Sequence, residues 1–517
     1  MVPIVKWTLT FVVVAFVWSC SNGVEPVQPV GDDGDDTTLP IDGDGAVPVD
    51  SGDDADSWDD VLDPFAVQPD TSENLTNVSF HLEDVLENGA LQDACEVWER
   101  DPTNRRKKLL CGKAMFFYEG FDGIGVPQTV FDFFPNKMPE IVGEGYSAYG
   151  LIPDPYSEKG RPLGFPAGRE FGGQPTLTYG CASCHFGQMP DGRYAVGYPN
   201  LQYNYGQHAL ALFIPAQKAN PMFNEDNYEQ TALEKVRPLL DRLDGDLWLR
   251  TQLSTSMLPL LGAMGDAPQL SKEQQAQFAS WPAGVLDAIM MPAPVDDEVH
   301  APARILDLWA IPSLEEADTF DMETPLLGWN GDAPDLHTFL KVFVQITGTP
   351  IEEWPADRFD PLVEYLLSLR APGDLDHDAE HPDTAVGKEL FASAGCLECH
   401  NGPRGQSRDI FTYEEIGTDD AYMYLGDPNL TGEACCGLND GSAPMRHGLK
   451  APRLTGVWAK DTLLHNGSVQ GLEELLCLNG PRIAVTTPAL ANHGHEFGCD
   501  ELSSDEKAKL IHYLRTL

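Results

Sequence analysis

The stretch TAVGKELFASAGCLECHNGP, residues 384–403, joins a predicted helix to a compact cysteine and histidine motif. Apolar residues recur there at helical spacing, namely Val386, Leu390 and Phe391. Gly395 then ends the helix, and CLECH follows, with two thiols separated by two residues and an adjacent histidine. A second motif of this type, CASCH, occupies residues 181–185. The chain therefore carries two copies of one arrangement.

This spacing is the attachment signature of a c-type haem. The two thiols reach the two vinyl groups of one haem, and the histidine turns under the ring to ligate the iron. A redox CxxC pair or half of a zinc site is the competing interpretation, but the chain has no further CxxC to complete a zinc site. We therefore predict two covalently bound c-type haems, held by Cys181, Cys184 and His185 and by Cys396, Cys399 and His400.

The helices around the second motif predict the fold. SSDEKAKLIHYLRTL at the end of the sequence begins with a capping box and places Leu510, Ile511, Leu514 and Leu517 on one face. DPLVEYLLSLRAPG, residues 360–373, resembles that ending. We predict a mainly α protein with two cytochrome c-type haem domains that arose by tandem duplication, the first enlarged by an insertion at about residues 215–350. Two unrelated amphipathic helices are the alternative.

Composition predicts four segments. Lys6 precedes the short apolar run WTLTFVVVAFVW, and residues 1–20 fit a secretory signal peptide. The VWSC box resembles a lipoprotein cleavage site with Cys20 as the lipidated residue, ordinary signal-peptidase cleavage being the alternative. Residues 21–75 form an acidic, disordered linker in this interpretation. The N-terminal haem domain then spans 76–373 and the C-terminal cytochrome c domain 374–517.

The charge of the chain limits its partners. A formal net charge of −48 makes nucleic acid an unsuitable ligand. A basic redox partner protein or a neutral substrate fits better. The only apolar run near spanning length lies in the signal segment, so membrane association is expected through the lipid anchor alone, on an exported, periplasmic or outer-membrane protein.

Cysteine usage also predicts disulfides. The chain has eleven cysteines; apart from Cys20 and the four in the two motifs, six are left, an even number suited to about three disulfides in an oxidising compartment. We expect Cys95 to pair with Cys111. The second expectation joins either of two neighbours, Cys435 or Cys436, to Cys477 or Cys499.

Several blocks together resemble the di-haem cytochrome c peroxidase superfamily. They are the two CxxCH motifs, GKELFASAGCLECHNGP and KAPRLTGVWAKDTLLHNGSVQGLEELL, residues 450–476. YGLIPDPYSEKGRPLGF and GHEFG are closer to its branch that contains the di-haem rubber oxygenases. The resemblance extends from about residue 380 to the end and, more weakly, over 145–200. It implies a haem oxidoreductase fold and activity.

The resemblance also implies the remaining iron ligands. The second haem of the peroxidases takes a methionine soon after the LHNG block, but this sequence reads LLCLNGPR there. In the rubber-oxygenase branch the GHEFG histidine takes that place, which makes His495 the expected sixth ligand. His493 and Met445 are the alternative ligands. If the stretch ANHGHEFGCD has no ligand role, it is a surface turn. His208 is the candidate for a displaceable ligand on the first haem.

Further site residues follow from fainter likenesses. ARILDLWAIP, residues 303–312, and PLLGWNG, residues 325–331, resemble stretches that line the reactive haem. Arg304 would stabilise negative charge on bound peroxide, and Trp329 or Trp309 would pass electrons or form the pocket wall. His465 is expected near the second haem without ligating it. A calcium ion between the haems is a further option, with Asn200 and Asn204 nearby.

Two functions of different classes fit these features. In the first, an enzyme, the C-terminal haem accepts electrons from a partner and the N-terminal haem reacts with peroxide or oxygen. In the second, a membrane-tethered electron carrier, both haems are six-coordinate and no small molecule reacts. The long insertion favours the enzyme. Maturation of a partner protein is a third reading, but it usually needs a tyrosine ligand where GHEFG offers histidine.

Overall fold

The computed structural model describes residues 64–517, except 67, 124, 219, 221–222, 265–269, 288–301, 323–326, 332, 347–348, 422–447 and 488. Leu62–Leu517 forms one compact unit, within which both predicted haem domains fall. The signal segment, most of the linker, Cys20, Cys435, Cys436 and Met445 lie outside the described residues.

Helices predominate, as the sequence led us to expect. They are α1 Leu82–Val85, α2 Ala94–Glu99, α3 Arg105–Tyr118, α4 Gln128–Phe131, α5 Phe133–Lys137, α6 Pro139–Val142, α7 Cys181–His185, α8 Tyr205–Gln217, α9 Gln230–Asp244, α10 Leu247–Met264, α11 Lys272–Ser280, α12 Leu314–Thr319, α13 Leu336–Ile346, α14 Ala356–Ser368, α15 Pro382–Ser393, α16 Tyr413–Ile416, α17 Gly471–Leu475 and α18 Ser504–Leu514. None of these combines the length and apolar composition that crossing a bilayer requires.

Short antiparallel strands complete the described part of the fold. They are β1 Val78–Ser79, β2 Val126–Pro127, β3 Ala167–Phe171, β4 Gln174–Leu177, β5 Phe186–Gln188, β6 Tyr194–Val196, β7 Val285–Asp287, β8 Pro302–Arg304, β9 Phe411–Thr412, β10 Gly448–Leu449, β11 Thr462–Leu463 and β12 Val469–Gln470. Their sheet orders are β1-β6-β5, β2-β4-β3, β7-β8, β10-β9 and β11-β12. By pairing with one another, these strands hold together the loops that connect the helices.

Two helix crossings support the predicted duplication. Helix α3 packs on α14, and α15 packs on α18. A Cβ added at Gly112 would lie 2.0 Å from the carbonyl oxygen of Pro361, and one added at Gly387 would lie 2.2 Å from that of Lys509. In both crossings the absence of a side chain lets the two backbones approach closely. The two segments DPLVEYLLSLR and LIHYLRTL thus each pack against a helix that contains a glycine, while the duplication itself stays a prediction.

A second pair of similar segments bears on the extent of the predicted insertion. PARILDLWA, residues 302–310, matches APRLTGVWA, residues 451–459, and each is followed by a Trp-Asn-Gly or His-Asn-Gly turn. The turns close in the same way, through the pairs Leu327 with Ala333 and Leu463 with Val469. The predicted insertion at about residues 215–350 overlaps the first of these segments from residue 302 onward, and its extent stays a prediction. Further helices and strands, from α4 to β4, precede the first motif. We call this region, together with α8 and the residues just before it, the additional segment.

The described residues include the end of the predicted linker, residues 64–66 and 68–75. The Phe65 ring lies 5.7 Å from Phe391 and 6.3 Å from Tyr513, and the side chain of Leu75 is buried. The carbonyl of Pro64 accepts a hydrogen bond from the backbone N–H of Arg404. The end of the predicted linker thus packs on α15 and α18, because its apolar residues gain more from burial than its composition suggested.

Candidate haem sites and the residues between them

The first CxxCH motif is a single helical turn, α7. Its N-terminal side is tightly packed, since a Cβ at Gly164 would lie 2.0 Å from the backbone nitrogen of Ser183. Nδ1 of His185 donates to the carbonyl oxygen of Leu306 at 2.9 Å, which orients the ring and leaves Nε2 for a metal. Burial lowers the pKa of His185 to about 4, so the imidazole is neutral and able to ligate. Cys181 and Cys184 are both unpaired thiols.

Two cavities, one slightly larger than the other, open beside His185. Both are lined by His185, Leu308, Leu336 and Phe339, and the larger one also reaches the two thiols. Their walls are mostly apolar, but Lys450 and Arg453 line the smaller cavity. An apolar slot with cations at one end suits a flat hydrophobic macrocycle that carries carboxylates on one edge. The residues around the first motif therefore fit a haem.

The second motif follows α15 directly, as the sequence indicated. Cys396–Glu398 forms a short 3₁₀ turn, and Nδ1 of His400 donates to the carbonyl oxygen of Gly405. Burial, with a smaller effect of neighbouring His495, lowers the pKa of His400 to about 4. This histidine is held in the same way as His185, by a backbone carbonyl on Nδ1, and is likewise neutral.

His495 faces His400. Their ring centres are 6.4 Å apart, at an interplanar angle of 65°. Two imidazoles that ligate one metal ion from opposite sides place their ring centres about 6 to 6.5 Å apart, because each metal–nitrogen bond is about 2 Å and each nitrogen lies about 1 Å from its ring centre. Nδ1 of His495 is buried without a hydrogen-bond partner among the described residues. The structure thus brings these two histidines to the separation that a bis-histidine iron would require.

The loop around His495 is tightly anchored. His495 has φ +49° and follows Gly494 at φ +91°, where an added Cβ would lie 2.6 Å from Cα of Thr418. The guanidinium of Arg482 donates to the carbonyl oxygens of Asn492 and His495. The backbone N–H of His495 donates to the carbonyl oxygen of Ile416. These contacts hold the ring over His400. The alternative ligand, His493, is exposed.

The disulfides agree with one expectation and overturn the other. Cys95 pairs with Cys111, as expected. Cys477 pairs with Cys499, with Cα atoms 5.1 Å apart, so neither joins Cys435 or Cys436. Separation along the chain could not reveal this, because the return of the His495 loop to α17 brings the two cysteines together. The bridge closes the segment that contains His495.

Arg304, Trp329 and His465 meet in one cluster. The backbone N–H and Nε of Arg304 donate to the carbonyl oxygens of His465 and Leu464, at 2.7 and 3.0 Å. The Arg304 guanidinium lies 5.0 Å from the Trp329 ring, which is 6.4 Å from the His465 ring. Trp329 lines the smaller cavity beside His185, whereas Arg304 and His465 contact Trp329 and do not line the cavity. The cluster is therefore adjacent to the first haem site.

Arg304 is a buried cation within this cluster. Burial lowers the pKa of Arg304 to about 10, and the group stays charged at neutral pH. Its Nη1 has no hydrogen-bond partner within the described part of the chain. Burial, together with Arg304, lowers the pKa of His465 to about 3 and keeps it neutral. A buried guanidinium with a free N–H can attract a small anion or a polar oxygen.

A charged group that the sequence did not single out joins the two repeats. The Asp307 carboxylate is 2.7 Å from Nζ of Lys460 and 3.7 Å from Arg453, and all three side chains are at least nine-tenths buried. Burial alone would raise the pKa of Asp307, but the two cations outweigh it and hold the pKa below its ordinary value. The signal in the sequence was the pattern R-x-x-x-x-W, which occurs at residues 304–309 and again at 453–458. Its first copy contains Asp307 and its second copy begins with Arg453.

Trp309 lies between the two repeats. Its ring is against Gly197, which directly follows β6, and against Gly456 of the second repeat. Its indole N–H donates to the carbonyl of Val196, and its own carbonyl accepts from Arg453. Trp309 is thus the alternative tryptophan that bridges the repeats, whereas Trp329 faces the cavity.

His208 does not line either cavity beside His185. It is fully buried within 4.6–6.1 Å of five aromatic rings, those of Phe131, Tyr146, Tyr149, Phe165 and Tyr203. Nδ1 lies 3.1 Å from the Tyr203 hydroxyl, within hydrogen-bond distance. The sequence could not foresee this, because the five aromatic rings come from segments distant along the chain and meet around His208 only in the fold. We therefore do not retain it as an iron ligand.

The candidate calcium ligands are engaged in local hydrogen bonds. The carboxamide of Asn200 donates to the carbonyl of Gly150 and accepts from Gln202, and that of Asn204 caps α8. The described residues contain no group of three or more His, Cys, Asp or Glu side chains arranged to hold a metal ion. Calcium gains no support from these contacts.

Comparisons with known proteins give one informative likeness. No family model matches the chain. Over 145 residues the chain is 29% identical to the cytochrome c551 peroxidase of Nitrosomonas europaea, covering 28% of this chain and 36% of that protein. The match thus spans about a third of the relative's length. A hydrazine synthase structure from Kuenenia stuttgartiensis covers 42% of this chain at 15% identity with a TM-score of 0.24, a likeness too distant to carry an argument.

Proposed function

We propose that the protein is an exported di-haem c-type cytochrome that acts as a peroxidase-like oxidoreductase. The observation that carries this proposal is an asymmetry between the two sites. His400 has a second histidine opposite it, whereas no second histidine among the described residues lines the cavities beside His185. A saturated iron suits electron transfer and an open one suits reaction with a small molecule. The distant likeness to a peroxidase supports the same class.

The residues then divide into two roles. Cys181, Cys184 and His185 would hold the first haem, and Cys396, Cys399, His400 and His495 the second. When bound, the haems supply one-electron chemistry and, at the first site, an iron position open to peroxide or oxygen. The likeness of the GHEFG block to the rubber-oxygenase branch supports His495 as the sixth ligand and leaves oxygen among the oxidants.

Around the first site the chain supplies shape and charge. Trp329 and Leu308 exclude water from the cavity beside His185, and Lys450 and Arg453 would neutralise the acidic edge of the haem. Arg304, held by the carbonyls of Leu464 and His465, would stabilise negative charge that develops on the oxidant. Trp309, packed between the repeats, would carry electrons from the second site to the first.

Export and partners complete the proposal. The signal segment with its lipoprotein-like box would tether the protein to a membrane by lipid alone, and the acidic chain would receive electrons from a basic redox protein. A calcium ion is not needed for this scheme.

The decisive experiment is low-temperature EPR of the oxidised protein with both haems attached. We expect one high-spin and one low-spin signal, the low-spin one altered in His495→Ala and unaltered in the matched control His493→Ala. Mass spectrometry should show two haems on all three proteins. Two low-spin signals in the oxidised protein, with the first haem still low-spin after the second is reduced, would favour the electron carrier, and fewer than two haems would overturn the proposal.

A further inference from the structure

A line of buried aromatic residues leads from the first haem cavity into the additional segment. Tyr179 lines the cavity together with Cys181, Cys184 and His185. Its phenol oxygen is 3.5 Å from that of Tyr203, which is buried. The Tyr203 hydroxyl is in turn 3.1 Å from Nδ1 of His208. Three side chains thus join the haem cavity to an enclosed imidazole.

We propose that Tyr203 and His208 form a redox-active pair that supplies an electron to the first haem site through Tyr179. The inference rests on the proposed function. Peroxide is the oxidant, and its reduction to two molecules of water consumes two electrons and two protons. Tyr203 provides one of these electrons, the haems provide the other, and solvent provides the two protons. The phenolic O–H bond of Tyr203 breaks, and its proton moves to Nδ1 of His208. An electron from the redox partner later restores the phenol, and the proton returns.

The geometry favours this coupled transfer. A phenol that loses an electron becomes a strong acid, so the reaction is eased by a base already hydrogen-bonded to the hydroxyl. Tyr203 has one hydroxyl hydrogen and two contacts, 3.1 Å to Nδ1 of His208 and 3.5 Å to the Tyr179 hydroxyl. We assign the hydrogen to the shorter contact, which makes Nδ1 the acceptor and places the resting proton of the imidazole on Nε2. Nε2 has no partner among the described residues and is enclosed with the ring. Nothing in the described surroundings competes for the transferred proton.

The cage around His208 suits a transient cation. The Tyr146 ring centre is 4.6 Å from that of His208, and the Tyr149 ring is stacked on it at 5.6 Å. The faces of aromatic rings attract a cation at such distances. In the resting state burial lowers the pKa of His208 to about 3, so the proton is held there only while Tyr203 is oxidised. The pair is therefore reversible and resets on reduction.

The test is freeze-quench EPR after peroxide is added to the oxidised holoprotein in the absence of reductant. We expect a neutral tyrosyl radical in the wild type, at least tenfold weaker in Tyr203→Phe and also weakened in His208→Gln. Tyr146→Phe is the matched control, because its hydroxyl donates to the carbonyl of Phe131 and does not contact His208. An unchanged radical in Tyr203→Phe, or equal loss in Tyr146→Phe, would overturn the inference.

A measurement on the wild type alone protects the test against variants that fail to fold. In deuterated water the radical should show coupling to one exchangeable deuteron, the one shared with His208. Its absence would contradict the pairing. If peroxide changes the haem absorption but produces no tyrosyl radical, the inference fails and the proposed function stands. If peroxide causes no change in haem absorption, the proposed function itself fails.

Discussion

Replacing Asp307 with asparagine tests the charged group that joins the two repeats. The substitution keeps the shape but removes the charge that faces Lys460 at 2.7 Å and Arg453 at 3.7 Å. Lys460 would keep the carbonyl of Thr455 as an acceptor, at 3.0 Å, but its ammonium would be buried without a counter-charge. We therefore expect Asp307→Asn to destabilise the protein strongly.

The size of the effect follows from the contact. Two unit charges at 2.7 Å attract by about 6 kcal/mol at an effective dielectric constant of about 20, and the cost of having buried Asp307 offsets part of that. Removal of one partner from a buried pair typically costs about 3–5 kcal/mol. We expect a loss in this range. Asp307→Asn/Lys460→Met should recover much of it, because the unpaired ammonium is then gone.

Asp374 offers a matched control. It is also buried, but its partner Arg515 has a side chain that is 40% exposed, so water can replace the lost contact. Asp374→Asn should cost about 1 kcal/mol or less. Urea unfolding, followed by circular dichroism and haem absorption separately, measures all four proteins. Equal losses for Asp307→Asn and Asp374→Asn, or no recovery in the double variant, would refute the reasoning.

Three further expectations follow from other parts of the fold. The pKa of Asp307 is held below its ordinary value, so its stabilisation is complete above about pH 4 and is lost as the pH falls further; acid unfolding of Asp307→Asn should therefore depend less on pH than that of the wild type, and parallel curves would contradict this. Cys477→Ser/Cys499→Ser opens a loop closed over 22 residues and should lower the unfolding free energy by about 3 kcal/mol while weakening the low-spin signal of the second haem; a thermal melt and EPR check both. Gly387→Ala places a methyl group 2.2 Å from the carbonyl of Lys509 and should cost about 1–3 kcal/mol or more, whereas the control Gly373→Ala, with nothing within 4 Å, should be nearly neutral in the same melt.

Features decided within a few residues could be predicted from the sequence. The CxxCH motifs, the capping box of α18 and the predominance of helix are local, because thiol spacing, backbone capping and apolar periodicity act over one or two turns. The pairing of Cys95 with Cys111 joins α2 to the neighbouring α3, so it was also within reach.

The internal repeat was only partly legible. The likeness of α14 to α18 indicated a duplication, but the likeness between the Trp329 and His465 turns was not visible, because the two side chains differ. The shared backbone of these turns, and not the shared side chain, marks the equivalence.

Contacts between distant segments were decided only by the tertiary structure. Two histidines flank Gly494, and sequence alone could not show that His495 turns inward over His400 while His493 faces solvent; the positive φ values at Gly494 and His495 and the grip of Arg482 determine that. Likewise Asp307, Lys460 and Arg453 become one buried group only when the repeats dock, and His208 moves from candidate ligand to the partner of Tyr203. The sequence determined which motifs for haem attachment the chain contains, since such a motif depends on residues only a few positions apart. The fold decided which side chains meet across it, because burial and backbone geometry, not proximity along the chain, bring them together.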